Sequence, residues 1–273
     1  MGEAVRRWAD ELATWALPEH ITAAVADSPW ATPVDVFARR ADRAVAAPDG
    51  VSWRRAAEAL APSGSMLDVG AGAGAASLPH AARLTELTAV DTNPSILDEL
   101  RARAEALGLA FHLVVGQWPD VAAATPVADV VVCHHVFYNV AALDAFARAL
   151  TEHARRRVVV ELTSAHPMHV LNPLWMRLQD LDRPDGPTAE DAVAVLREAG
   201  IEARSRRWRR PPRPAYPSLD DLVATTRRRL CLPPERDAEL VAALLDHGVD
   251  PERPRDLSAD EVVTLWWDGD APA

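Results

Sequence analysis

Residues 66–74 read MLDVGAGAG, an apolar strand with one acid inside it, running straight into three alternate glycines. The pattern describes a strand that stops abruptly, a backbone bare enough for a ligand to lie against, and a helix beginning beyond. Glycine tolerates positive φ and carries no Cβ to hold a ligand away. A helix starting after such a turn offers unpaired N–H groups and the positive end of its dipole. Asp68 adds a fixed negative charge near the strand's end. A turn that favours an anion, beside an acid that favours a cation, suits a ligand carrying an amino-acid moiety.

The chain is long enough to hold that turn in a built fold. With 273 residues it can bury one substantial core, as a single large domain or as a domain with an appendage. The residues are 49% hydrophobic and 25% charged, ordinary for a globular protein. A net charge of -11 argues against generic nucleic-acid binding, which needs a phosphate-neutralising surface. All 29 basic residues are arginine, so a catalytic lysine is excluded; with the abundant alanine this reads as coding bias in a GC-rich genome. Cys133 and Cys231 form neither a disulfide framework nor a metal-ligand spacing. No apolar run approaches the roughly 18 residues of a membrane span. The N-terminal stretch lacks the uninterrupted apolar core of a signal peptide, and a cytoplasmic protein is expected.

Residues 1–62 have helical periodicity: Val5, Trp8, Leu12 and Trp15 recur at helical spacing, as do Val34, Phe37, Ala41 and Val45, and a third helix is expected over 53–60. From 65 to about 162 the pattern becomes strand, turn, helix in repetition. Strands are expected at 65–69, 87–90, 110–115, 129–133 and 157–162, with helices at 75–83, 94–107 and 143–154 between them. Short apolar strands separated by amphipathic helices indicate a mostly parallel α/β sheet covered on both faces. Such sheets place ligands beyond the carboxyl ends of their strands. Residues 166–187 look irregular. A helix capped by Thr188 and stopped by Gly200 follows, then a strand at 201–208, helices at 218–230 and 235–245, and a closing strand at 262–267.

Three further elements follow the glycine turn in order. TAVDTNPSIL puts Asp91 at the end of the second strand, followed by Thr92 and by Asn93-Pro94 opening a helix. VVGQWPDV places Gln117 and Trp118 after the third strand. The fourth strand ends at Cys133 and leads into HHVFYNV. Together these residues resemble a class I S-adenosylmethionine (SAM)-dependent methyltransferase, most like the small-molecule methyltransferase-domain proteins common in high-GC bacteria. The resemblance covers about 65–200. It implies a Rossmann-like, seven-stranded sheet with a helical N-terminal extension (1–62) capping the active site. The SAM-binding domain would then span 63–273, with 216–247 a late helical insertion.

The resemblance also implies roles. Asp68, Gly70, Ala71, Gly72 and Gly74 would hold the methionine part of SAM, and Asp91, with Thr92 beside it, the ribose hydroxyls. A carboxylate suits that task because its two oxygens accept from a vicinal diol. Gln117 stands where many relatives carry an acid toward the adenine amino group, and Trp118 is placed to cover the purine face. Main-chain groups around Cys133 and His134 would complete the methionine side. Each residue also has an ordinary structural reading, since Asp91 can cap a helix and Trp118 can pack in a core. A dinucleotide oxidoreductase is the rival, because residues 70–75 satisfy a loose GxGxxA. The acid before the first glycine, the helical preface and the antiparallel-looking end count against it.

Methyl transfer requires an acceptor aligned with the departing sulfur, and a protic acceptor also needs a base. His134 and His135 follow the fourth strand at the carboxyl edge; His135 is the leading candidate base and His134 the second. Either can instead pack the turn. Trp30, Tyr138, Asn139, His166, Asn172 and Trp175 are candidates for the acceptor wall. No metal site is expected. The arginine run 204–213 reads either as a site for RNA or protein acceptors or as an edge strand blunted by charge. A noncatalytic SAM-binding protein is a further alternative.

Overall fold

The computed structural model describes residues 2–23, 29, 34–211, 216–255, 257 and 260–272. Four helices form the N-terminal extension: α1 (Glu3–Ala13), α2 (Glu19–Thr22), α3 (Val34–Ala46) and α4 (Val51–Leu60). They are followed by β1 (Gly64–Val69), β2 (Leu84–Asp91), α5 (Pro94–Ala106), β3 (Phe111–Val115), β4 (Ala128–His134), α6 (Leu143–Glu152) and β5 (Ala154–Thr163). The remainder comprises α7 (Asn172–Gln179), α8 (Ala189–Glu198), β6 (Arg204–Arg209), α9 (Leu219–Arg229), α10 (Asp237–Asp246) and β7 (Glu261–Asp268). One seven-stranded sheet has the order β3-β2-β1-β4-β5-β7-β6. The pairs among β1 to β5 are parallel, and β7 is antiparallel to both β5 and β6. The strand order reverses between β1 and β4, which opens a crevice at the carboxyl edge.

Alternation along the strands sorts side chains to two faces. Leu67, Val69, Val131, Val158 and Val160 face one layer, built from α1, α6 and α8. Met66, Ala89, Val130, Val132 and Val159 face the other, with Leu60 of α4 and Leu97 and Leu100 of α5. A separate apolar cluster unites α7, α9 and α10 through Trp175, Leu222 and Leu244. The late helices α9 and α10 lie between β6 and β7 in the chain, where an insertion was expected. Thr188 caps α8 with a full capping box, accepting from Asp191 N–H while Asp191 accepts from Thr188 N–H. β6 is one of the two edge strands; its arginines are exposed, and Arg207 bonds to Glu190 and Glu261. No helix among the described residues is long and apolar enough to cross a membrane.

Two expectations are corrected. The helix read over 75–83 is not α-helical: the chain turns through 72–77 and forms a single 3₁₀ segment, Leu78–Arg83. β2 begins at Leu84 rather than 87, and the 3₁₀ segment runs directly into it. The turn is therefore not followed by the N-terminus of an α-helix. The second correction concerns 166–187, which includes α7, carrying Trp175 fully into the core. Trp30 lies outside the described residues, as do 212–213 of the arginine run.

Candidate active site

The glycine turn follows β1 at the carboxyl edge, beside the strand-order switch. Gly70, Gly72 and Gly74 have φ of +72°, +52° and +88°, in the left-handed region that favours glycine. Gly70 and Ala71 N–H groups both donate to Val90 O, tying the turn to β2. A Cβ on Gly70 would stand 2.3 Å from Val136, in the loop after β4. One on Gly72 would stand 3.2 Å from Phe37 of α3, so the N-terminal extension lies against the turn.

Both acids lie on the α4–α5 face of the sheet. Asp68 is fully buried: Oδ2 accepts from Ser77 Oγ at 2.6 Å, and Oδ1 has no partner. Burial, only partly offset by the Ser77 bond and reinforced by the charge of Asp91, pushes its carboxyl up to about 7. An orphaned acceptor of this kind, beside a bare turn, fits a cationic donor such as a ligand ammonium. Asp91, half-buried at the end of β2, accepts from Gly72 N–H (2.9 Å) and Asn93 N–H (2.9 Å), one on each oxygen. Each carboxylate oxygen keeps further acceptor capacity, so the pair fits a vicinal diol. Thr92 and Gln117 are exposed next to this edge, whereas Trp118 is buried, edge-on to His153 with ring centroids 4.8 Å apart. Gln117 is thus the member of that pair open to a ligand.

At the end of β4, Cys133 is buried on the opposite face, and burial raises its thiol well above the usual range. His134 faces the acid side. Burial lowers its imidazole to about 4, and its Nε2 is buried without a partner. It is therefore neutral near pH 7 and a weak base. His135 adopts φ +61°, rare for a residue with a side chain, and its ring is about a third exposed. Its Nε2 lies 3.2 Å from Glu161 Oε1 and 3.1 Å from Arg210 Nη1.

The acceptor-wall candidates divide. Tyr138 is buried; its hydroxyl donates to Thr163 O at 2.8 Å and its ring stacks on Trp8. His166 stacks on Trp15 at 3.8 Å, and burial lowers its imidazole to about 3. Asn172 Nδ2 donates to the carbonyls of Arg183 and Pro184, and Trp175 is core. Asn139 alone of these is exposed. Tyr138, His166 and Trp15 therefore dock the extension onto the ends of β4 and β5.

Glu161, Ser52, Thr264 and Arg210 escaped the sequence reading. Glu161 left a legible signal, a single acid in the otherwise apolar end of a strand, VVVELT. Ser52 and Thr264 left none, and Arg210 was hidden in its arginine run.

A glycine turn flanked by two acids, at the switch point of a 3-2-1-4-5-7-6 sheet, fits a nucleoside-type cofactor carrying an amino-acid end. Residues 66–157 match the methyltransferase domain family, so the chain carries a SAM-dependent methyltransferase domain, and its cofactor is SAM. Solved structures share the fold. The YcgJ protein of Bacillus subtilis is 13% identical, with a TM-score of 0.54 over 86% of this chain and 99% of that one. A candidate methyltransferase of Bacillus halodurans is 17% identical, with a TM-score of 0.54 over 80% and 96%. A cyclopropane-fatty-acyl-phospholipid synthase-like protein of Lactobacillus casei is 17% identical, with a TM-score of 0.52 over 92% and 98%. At these identities the likeness establishes the fold alone. No curated protein sequence gives a significant match.

Proposed function

We propose that the protein transfers a methyl group from SAM to a small-molecule acceptor held over the ends of β4 and β5, with His135 taking the acceptor's proton. The observation that carries this reading is the covering of the carboxyl edge by the chain's own N-terminal helices. Phe37 of α3 lies on Gly72, and Trp15, just beyond α1, stacks on His166. A site roofed by its own chain suits a molecule small enough to enter beneath the roof. An RNA or protein acceptor would need an open, basic approach, and two arginines of the run are drawn away from one. Arg207 is committed to Glu190 and Glu261, and Arg210 turns inward to His135.

When bound, SAM supplies an electrophilic methyl group on a sulfonium. In this reading Asp68 and the glycine turn hold its amino-acid end, Asp91 the ribose hydroxyls and Gln117 the adenine edge. Residues 1–62 act as the cap and the insertion 216–247 as an outer wall. His135, in the loop that crosses Gly70, holds the proton released as the acceptor is methylated. The chain contributes alignment and a local base, the two effects such a displacement needs.

The test is a transfer screen with methyl-labelled SAM and cell extract separated into small-molecule, RNA and protein fractions. Label is expected in the small-molecule fraction, and His135→Gln is expected to lower its rate by about a hundredfold. Label confined to RNA or protein would contradict the reading.

A further inference from the structure

Glu161 occupies an unusual position. It stands two residues before the carboxyl end of β5, is 7% exposed, and shares one row with His134 on β4 and Thr264 on β7. Its surroundings fix both oxygens. Ser52 Oγ, at the start of α4, donates to Oε2 at 2.5 Å. That hydroxyl also lies 2.7 Å from Thr264 Oγ1, which accepts from Trp208 Nε1 at 2.9 Å. On the other side, Oε1 meets His135 Nε2 at 3.2 Å and Arg210 Nη1 at 3.9 Å. The backbone repeats the link, since His135 N–H donates to Glu161 O at 2.6 Å. Burial alone would raise this carboxyl. The hydrogen bond from His135, the neighbouring imidazoles of His134 and His135, and the Ser52 hydroxyl hold it well below the usual carboxylate range. A buried carboxylate with polar partners from α4 and from the segments just after β4 and β6 costs desolvation that ordinary packing does not require.

We propose that Glu161 is the positioning residue of a carboxylate–imidazole dyad in which it receives Nε2–H of His135 and so places the imidazole lone pair on Nδ1. The proposal rests on the reading of His135 as the base, and deepens it by assigning the acceptor's class: a protic group, such as a hydroxyl, that must lose a proton as it is methylated. One nitrogen cannot both donate to Glu161 and accept from Arg210. The ionised carboxylate is the strongest acceptor in reach, so it takes the hydrogen, while Arg210 lies beside the pair as a counter-charge. The step balances. The acceptor's oxygen–carbon bond forms as the sulfur–methyl bond breaks, the sulfur leaves as a neutral thioether, and the acceptor's proton passes to His135 Nδ1. Glu161 stays ionised and stabilises the imidazolium, the division of labour of the serine-protease aspartate. The left-handed backbone of His135 is the local strain that this orientation requires. Among the described residues, the titratable groups facing the dyad are His134 from β4 and Arg210 beyond β6, with Ser52 and, through it, Thr264 as neutral partners.

The experiment is ¹⁵N-histidine NMR of the full chain, with His135 assigned through His135→Gln, as the pH is varied in the presence and absence of S-adenosylhomocysteine. The expected result is the Nε2–H tautomer in the wild type. Glu161→Gln should lower the His135 pKa by about one unit or more, because an opposite charge within a few ångströms is lost. Ser52→Ala should move it less, in the same direction, and serves if Glu161→Gln fails to fold. An Nδ1–H tautomer in the wild type would overturn the proposal, because Nε2 would then be accepting from Arg210. A His135 pKa unmoved in both folded variants would overturn it equally. Calorimetry with S-adenosylhomocysteine, expected to be unchanged in Ser52→Ala, separates the dyad from the cofactor site. Loss of label transfer to small molecules with the dyad intact would count against the functional reading instead.

Discussion

Asp91→Ala is expected to weaken SAM binding by a hundredfold or more. Two hydrogen bonds from a ribose diol to a carboxylate contribute about 1.5–3 kcal/mol each, and 1.4 kcal/mol is tenfold in affinity. The same carboxylate also anchors the turn, accepting from Gly72 and Asn93 N–H. Its loss therefore also slackens the glycine turn, and a stability decrease of about 1–2 kcal/mol should accompany the binding defect. Titration calorimetry and thermal melting of the variant check the two parts separately. Affinity within threefold of the wild type would remove Asp91 from the cofactor site.

The second large effect has opposite signs on stability and binding. The folded protein holds Asp68 at about 7, against an ordinary value of 3.8, because the site is buried and one oxygen has no donor. A raised carboxyl favours the protonated fold, so its contribution to stability is complete below about pH 4 and is lost as pH rises through 7. By pH 8 the ionised group costs about 4 kcal/mol, taking 1.36 kcal/mol per pH unit over the shift between those two values. Asparagine escapes that cost and can still meet Ser77. Asp68→Asn should therefore raise the melting temperature, with a gain that grows from pH 4 to pH 8. The same substitution removes the anion facing a ligand ammonium, and SAM affinity should fall at least tenfold. A variant less stable than the wild type at pH 8 would show that the carboxylate is satisfied in the free protein. Strain kept at a ligand site is the common trade of stability for function.

How much of this was legible in the sequence follows from the range of the interactions involved. Local patterns were readable: the apolar central strands, Thr188 as a cap, the glycine turn, and Asp68 and Asp91 at strand ends. The α-helix expected after the turn failed because the turn itself runs on through 72–77, leaving six residues, wound as a 3₁₀ segment, before β2. Large aromatic residues misled in a uniform way. Trp118, Tyr138 and Trp175 suited a binding wall by type, yet all three are buried, as burial of apolar area favours wherever a core is within reach. The Glu161 network was invisible for the opposite reason. Its partners lie 26 to 109 residues away, on α4, β4, β6 and β7, and meet only because β7 inserts between β5 and β6. Parity along the strands offered a clue, since His134 and Glu161 fall on the same face as Asp68 once β4 and β5 are known to pair.

Titration calorimetry of the full chain with SAM, across pH 6 to 7.5 and in buffers of different ionisation enthalpy, tests the central claim most directly. A ligand ammonium settling against Asp68 needs that carboxylate ionised, and its free value near 7 means that binding must expel a proton at the acid end. The account predicts one-to-one binding, an affinity that rises several-fold over that range, and proton release that fades as pH increases. A folded sample that takes up no SAM, or binds it with pH-independent affinity and no proton exchange, would contradict it.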